Sequence, residues 1–197
     1  MKVDILLEAG YETALYGLSL SFKDRSVSRE DWWTSSKFDT MKKRAGSLYK
    51  LDGGHNKFLE AIMVWLDVEA PRCWWSEMDT YRHATKQSES SMHSIHFRPT
   101  TVDDYEVGTC TNMIKIFNEI LEEETGGFSS KTRLTGRSLQ RVKNNLPDGF
   151  LQRRVMCLNY KTLKNIVAQR KEHKLLYWQF FLDEVKAGVE HPEFLEI

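Results

Sequence analysis

Apolar residues along the chain fall into a few separated blocks, and their spacing predicts most of the elements. Lys2 to Leu7 is rich in β-branched and apolar residues and predicts a first strand, which stops at the turn-prone AGYE. After the breaker LDGGH, the run KFLEAIMVWL places Phe58, Leu59, Ile62, Met63 and Leu66 at helical spacing and predicts a helix. VEAP then punctuates the chain. Pro71 suits the first turn of another helix, on which Trp74, Trp75, Met78 and Tyr81 make one broad apolar face. NMIKIFNEILEEETGG predicts a further helix with Met113, Ile116, Phe117, Ile120 and Leu121 on one face, acid on the outer side and a stop at Gly126 and Gly127. The segment FSSKTRLTGRSLQRVKNNLPDG is polar and basic and ends in a turn, and RRVMCLNY fits either a short strand or a helix start. From Lys161 onward, Leu163, Ile166, Val167, Leu175, Leu176, Trp178, Phe181 and Val185 predict two helices or one bent helix. Helices outweigh strands, so the expected class is α+β.

Between Tyr81 and His93 the pattern fails. YRHATKQSESSMH is polar throughout, yet it separates an apolar run ending in CWW from SIHFRP, so its polar groups face either water or a ligand.

A length of 197 residues supports one substantial core, and no stretch reads as a linker, so a single domain over residues 1–197 is expected. Lys plus Arg and Asp plus Glu balance at 28 each, which removes the basic excess that sequence-independent nucleic-acid binding needs. MKVDILLEAGYE lacks the cleavage site of a signal peptide, and no run reaches membrane-spanning length. Cys73, Cys110 and Cys157 are odd in number and far apart, which fits a reducing compartment and points to the cytoplasm.

The candidate chemistry is sparse. His93 and His96, with His83 nearby, have weak metal-ligand spacing, and a solvated or hydrogen-bonded histidine accounts for them better. Ser90 or Ser91 with His93 and Glu89 lack a GxSxG elbow, Cys73 sits in an apolar context that makes a thiol inert, and LDGGH has no phosphate-loop spacing. More informative are the cations inside apolar segments. Arg153 and Arg154 precede VMCL, and Arg170 falls at i+7 from Leu163 on the apolar stripe itself, so its charge must be compensated by a carboxylate or by an anionic or planar ligand. Asn159 and Asn165 flank the same helix start, where Asn159 is equally good as an N-cap.

In the order of its blocks the chain resembles the flavin-dependent thymidylate synthases. MKVDIL is similar to that family's first strand, and GHNKFLEAI followed by VEAP is similar to its GH-x-x-x-x-E-x-I and V-x-AP block. The polar stretch sits where the family has RHR followed by NExSxRY, with TYR or YRH in place of RHR. LPDGFLQRRVMCLNYKTLKNIVAQRKEH is similar to the closing series of LP, Asn, Asn, Arg and His.

The resemblance implies a flavin-dependent thymidylate synthase-like fold, helix-rich with a small sheet. It implies a methyltransferase acting on dUMP or a related deoxypyrimidine monophosphate, with FAD, NADPH and methylenetetrahydrofolate. Glu89, Ser91, Lys143, Arg153 and Arg170 would meet the nucleotide, Lys143 standing where the family has an Arg before LP. Arg82, His83, Glu89, Asn159, Asn165 and His173 would meet the flavin. Arg170 would be the catalytic residue, holding the pyrimidine and stabilising the negative charge that develops as C5 attacks the one-carbon donor. A homotetramer in the cytoplasm of a bacterium or a phage-infected host is implied, with no metal, nucleic-acid or membrane partner. An alternative keeps the fold but loses the flavin, leaving a nucleotide-binding or regulatory protein. A helical interaction protein, resting on six Trp, is a third reading.

Overall fold

The computed structural model describes residues 1–22, 28–129 and 133–197, so part of the polar segment after Phe128 lies outside the described residues. The first strand, β1, runs Lys2–Ala9 and ends as expected at AGYE. Gly10 has φ of 98°, and a Cβ there would stand 2.5 Å from the Ala61 carbonyl oxygen, so only glycine can make this turn. Two helices that the spacing did not predict follow, α1 (Tyr11–Leu20) and α2 (Ser36–Leu48). Each buries few side chains, Ala14, Leu15 and Ser19 in α1 and Met41 and Ala45 in α2, and so gives a weak apolar stripe.

KFLEAIMVWL is not a helix. A 3-10 turn covers Lys57–Ala61, and strand β2 runs Met63–Pro71. Ile62, Val64, Leu66, Val68 and Ala70 are all fully buried at period two. Met63 and Trp65, half-buried, make the other face apolar as well, and an apolar residue at every position masks the alternation. Helix α3 (Arg72–Met78) follows as expected and buries Trp74, Trp75 and Met78, with Pro71 as its N-cap and Tyr81 beyond its end. The polar stretch becomes strand β3 (Ala84–Ser88) and the single turn α4 (Ser91–Ser94).

Helix α5 (Thr111–Thr125) stops at Gly126 in the left-handed conformation, but its buried stripe is Ile114, Phe117 and Leu121. Met113 and Ile116, expected on that face, are exposed. After α6 (Gly136–Asn145), RRVMCLNY resolves as strand β4 (Leu151–Asn159) followed by the first residue of the next helix, Tyr160. The last block is two helices, α7 (Tyr160–Arg170) and α8 (Leu176–Gly188), with Trp178, Phe181, Leu182 and Val185 inward and Leu176 outward.

The strands form one four-stranded antiparallel sheet in the order β1-β2-β4-β3, so the described residues combine eight α-helices with a small sheet. That is the α+β, helix-rich class that the sequence predicts. The chain divides into two compact units, one of Met1–Lys2, Val68–Thr80 and Gln87–Arg154, the other of Val3–Asp67, Tyr81–Lys86 and Val155–Ile197. In the first, Ile95, Phe117, Leu121, Leu134, Val142 and Leu146 make a core. In the second, Leu15, Leu59, Ile62, Tyr160, Ile166, Trp178 and Phe181 are fully buried. No described helix is long and apolar enough to cross a membrane.

Candidate functional site

Two groups of polar side chains, one in each unit, contain most of the residues that the sequence singles out. The first begins at the entry to α4. Ser91 is buried, and its hydroxyl accepts a hydrogen bond from Lys143 Nζ at 2.7 Å. Lys143 lies in the last turn of α6, and burial together with the nearby Arg72 guanidinium holds its pKa below the ordinary lysine value. Among the described residues no carboxylate pairs with it. A half-buried ammonium that meets only a hydroxyl and a like charge is a preformed place for an anion. Arg72 itself donates to the Leu146 carbonyl at 2.5 Å and stands 3.8 Å from Asp148.

Glu89 is held where β3 runs out. Its backbone N–H donates to the Arg153 carbonyl at 3.0 Å, and its carboxylate accepts from the Arg153 N–H at 3.1 Å. Glu89 and Arg153 are therefore neighbours, as are Ser91 and Lys143. The Arg153–Arg154 pair is split by the strand, because successive side chains on β4 point to opposite faces. Arg154 is fixed by Asp79 at 3.0 Å and lies 4.3 Å over the Trp75 ring, a structural role, whereas Arg153 is exposed. Ser91 bonds Lys143 rather than His93, which leaves no hydrolase dyad, and burial raises the Cys73 pKa, in keeping with an inert thiol.

The second group surrounds the end of α7. The buried Tyr81 hydroxyl donates to Gln169 Oε1 at 3.0 Å and accepts from Arg170 Nε at 2.9 Å. The Arg170 guanidinium stacks 4.5 Å above the Trp178 ring, and Gln169 in turn bonds Asn165. His173 Nδ1 accepts from the Leu175 N–H at 3.2 Å, with its ring 6.1 Å from that of Trp178. The apolar stripe of α7 does carry Arg170 half-buried, compensated in part by a phenol and an indole face, two groups the sequence reading did not pair with it. Asn159 stands at the opposite end of α7, where its side chain accepts from the Thr162 N–H at 2.9 Å as an N-cap. Arg82 and His83 are exposed between Tyr81 and β3 and make no hydrogen bond with any described residue.

Tyr81, Gln169, Trp178 and Arg72 are members of these groups that the sequence reading did not assign. Tyr81 and Trp178 were visible only as apolar positions, and nothing in the spacing marks their contact with Arg170.

No family model and no curated protein matches the chain. Solved structures do. The flavin-dependent thymidylate synthase ThyX of Helicobacter pylori, complexed with FAD and dUMP, aligns with a TM-score of 0.71 at 15% identity, covering 100% of this chain and 98% of that one. A second structure of that protein with FAD and dUMP gives 0.70 at 15%, covering 100% and 97%. The chain therefore has the fold of the flavin-dependent thymidylate synthases along its whole length, as the four sequence blocks imply.

Proposed function

We propose that the chain is a divergent flavin-dependent methyltransferase of the thymidylate synthase type, folded as a single functional domain. Its substrate is dUMP or a related deoxypyrimidine monophosphate, with methylenetetrahydrofolate and NADPH as co-substrates. The observation that carries this reading is the Lys143–Ser91 pair: a half-buried ammonium that pairs with no carboxylate among the described residues, 2.7 Å from a buried hydroxyl, is suited to a phosphate dianion. Arg153 and Glu89 are assigned to the same nucleotide, the carboxylate accepting from a sugar hydroxyl.

Arg170 is assigned to the pyrimidine. Its Nε is held by Tyr81 and its plane by Trp178, so its position is set before the ligand arrives. There it opposes the negative charge that develops on the ring as C5 attacks the one-carbon donor.

The donor set also fits the anionic part of FAD. Arg82 and His83 are exposed donors with no hydrogen bond to any described residue, and Asn165 and His173 offer further polar contacts, with Asn159 and Glu89 assigned beside them. When bound, FAD supplies redox chemistry that no side chain provides. The likeness to a family whose sites are built from several subunits adds a homotetramer in the cytoplasm to the proposal.

The test is calorimetry with dUMP and with deoxyuridine, together with the visible spectrum of the protein after incubation with FAD. Tighter binding of dUMP than of the nucleoside, and retained flavin absorption, are expected. Equal affinity for the two ligands refutes the phosphate assignment. A colourless protein that still prefers dUMP instead supports the nucleotide-binding alternative without flavin.

A further inference from the structure

Near the end of β1, a buried carboxylate is half satisfied. Glu8 Oε2 accepts two hydrogen bonds, from the Tyr160 hydroxyl at 2.6 Å and from the Glu190 backbone N–H at 2.8 Å. Its other oxygen, Oε1, is buried and accepts none, in a side chain only 3% exposed. An oxygen of this kind is costly to leave unmatched. Facing it at 3.8 Å is His191 Nε2, while His191 Nδ1 stands 3.4 Å from a Glu193 carboxylate oxygen. A divalent cation lodged between Glu8 Oε1 and His191 Nε2 gives the unmatched oxygen a partner and takes the imidazole as a second ligand. The Tyr11 ring stacks on the imidazole with centroids 3.7 Å apart and fixes its plane.

We infer that Glu8, Glu190 and His191 bind a divalent cation of the zinc class. Their ligand atoms all lie within 4.8 Å of one another. Zinc bonds of about 2.0–2.2 Å in a tetrahedron put neighbouring ligand atoms about 3.4 Å apart, so closure needs movements of only a few tenths of an ångström at the Glu8–His191 edge. Exposed Glu190 is the third ligand and water the fourth. The surroundings suit a metal-bound histidine, with a carboxylate 3.4 Å from its second nitrogen and a ligand carboxylate oriented from behind by Tyr160. The ion ties β1 to the segment after α8, residues 182 apart along the chain. Its role is structural, independent of the nucleotide chemistry proposed above.

The experiment uses the full chain stripped with EDTA and titrated with zinc chloride by calorimetry, with melting followed in parallel and Co²⁺ as a visible probe. One equivalent is expected to bind and to raise Tm by several degrees. Co²⁺ is expected to give ligand-field bands without the charge-transfer absorption of a thiolate. Glu190→Gln changes an exposed side chain and keeps the fold, and it should weaken binding about tenfold or more, as should Glu193→Ala acting through His191. Absence of saturable binding overturns the proposal, as does binding of equal strength in Glu190→Gln and His191→Gln. A His191 that NMR shows to be protonated near neutral pH and indifferent to zinc also overturns it, a proton then filling the gap.

Discussion

Replacing Lys143 by Met separates what this residue does for the fold from what it does for a ligand. In the unliganded protein its ammonium is half-buried, meets only the Ser91 hydroxyl at 2.7 Å, and is repelled by Arg72. Met keeps the length of the stem and removes both the desolvated charge and the repulsion, at the cost of one hydrogen bond worth about 0.5–1.5 kcal/mol. The two effects oppose each other, so Tm should stay close to that of the parent. A bound phosphate changes the balance, because the ammonium then makes a charge-assisted hydrogen bond worth about 1.5–3 kcal/mol. Calorimetry should show dUMP binding weakened by about ten- to 150-fold, at about 1.4 kcal/mol per tenfold, and deoxyuridine binding unchanged. The pH dependence follows from the sign of the shift. The folded-state pKa lies below the unfolded one, so the charge penalises the unliganded fold at neutral pH, and that penalty fades as pH rises from the lowered value to the ordinary lysine value. Phosphate affinity should fall over the same interval, earlier than for an ordinary lysine. An equal loss for nucleotide and nucleoside, or a collapse of Tm with affinity intact, would falsify the assignment and make Lys143 a structural residue.

Arg170→Ala removes the hydrogen bond to Tyr81 at 2.9 Å and the stacking over Trp178, so chemical denaturation should report a loss of about 1–3 kcal/mol. Methyl transfer should disappear while phosphate-dependent binding persists, and retained turnover would remove Arg170 from the catalytic role. Arg98 grips Asp104 through both carboxylate oxygens and, with Thr101, lowers its pKa; this stability is present above the ordinary Asp range and lost as pH falls through the lowered value. Because Arg98 is 61% exposed, Arg98→Ala should cost no more than about 1 kcal/mol at neutral pH and flatten the acid limb of a Tm-versus-pH curve. Light scattering should give four times the 23.1 kDa chain mass, and Met113→Glu with Ile116→Glu, both exposed on α5, should lower it. A monomer mass for the parent chain contradicts the homotetramer.

Sequence alone settles those features that depend on neighbours along the chain. The Lys2–Leu7 strand, the Gly126 stop of α5, the turn of helix after VEAP and the half-buried place of Arg170 on α7 all follow from local spacing and backbone preference, and each is found. The order of weak motifs along the whole chain likewise points to the fold, which is shared at 15% identity with a solved structure. What the tertiary structure decides is which face each residue presents and what meets it there. KFLEAIMVWL carries helical and strand periodicities at once, and only the full burial of Val64, Leu66, Val68 and Ala70 on one face of β2 selects the strand. YRHATKQSESSMH has no apolar pattern because β3 is an edge strand with little to bury, so its extended form depends on its bonding to β4. The pairings of Ser91 with Lys143, of Tyr81 with Arg170 and of Glu8 with His191 join residues 52, 89 and 183 positions apart. Contacts at such distances leave no periodic trace, because each is fixed by the packing of whole elements and not by the chain on either side of it.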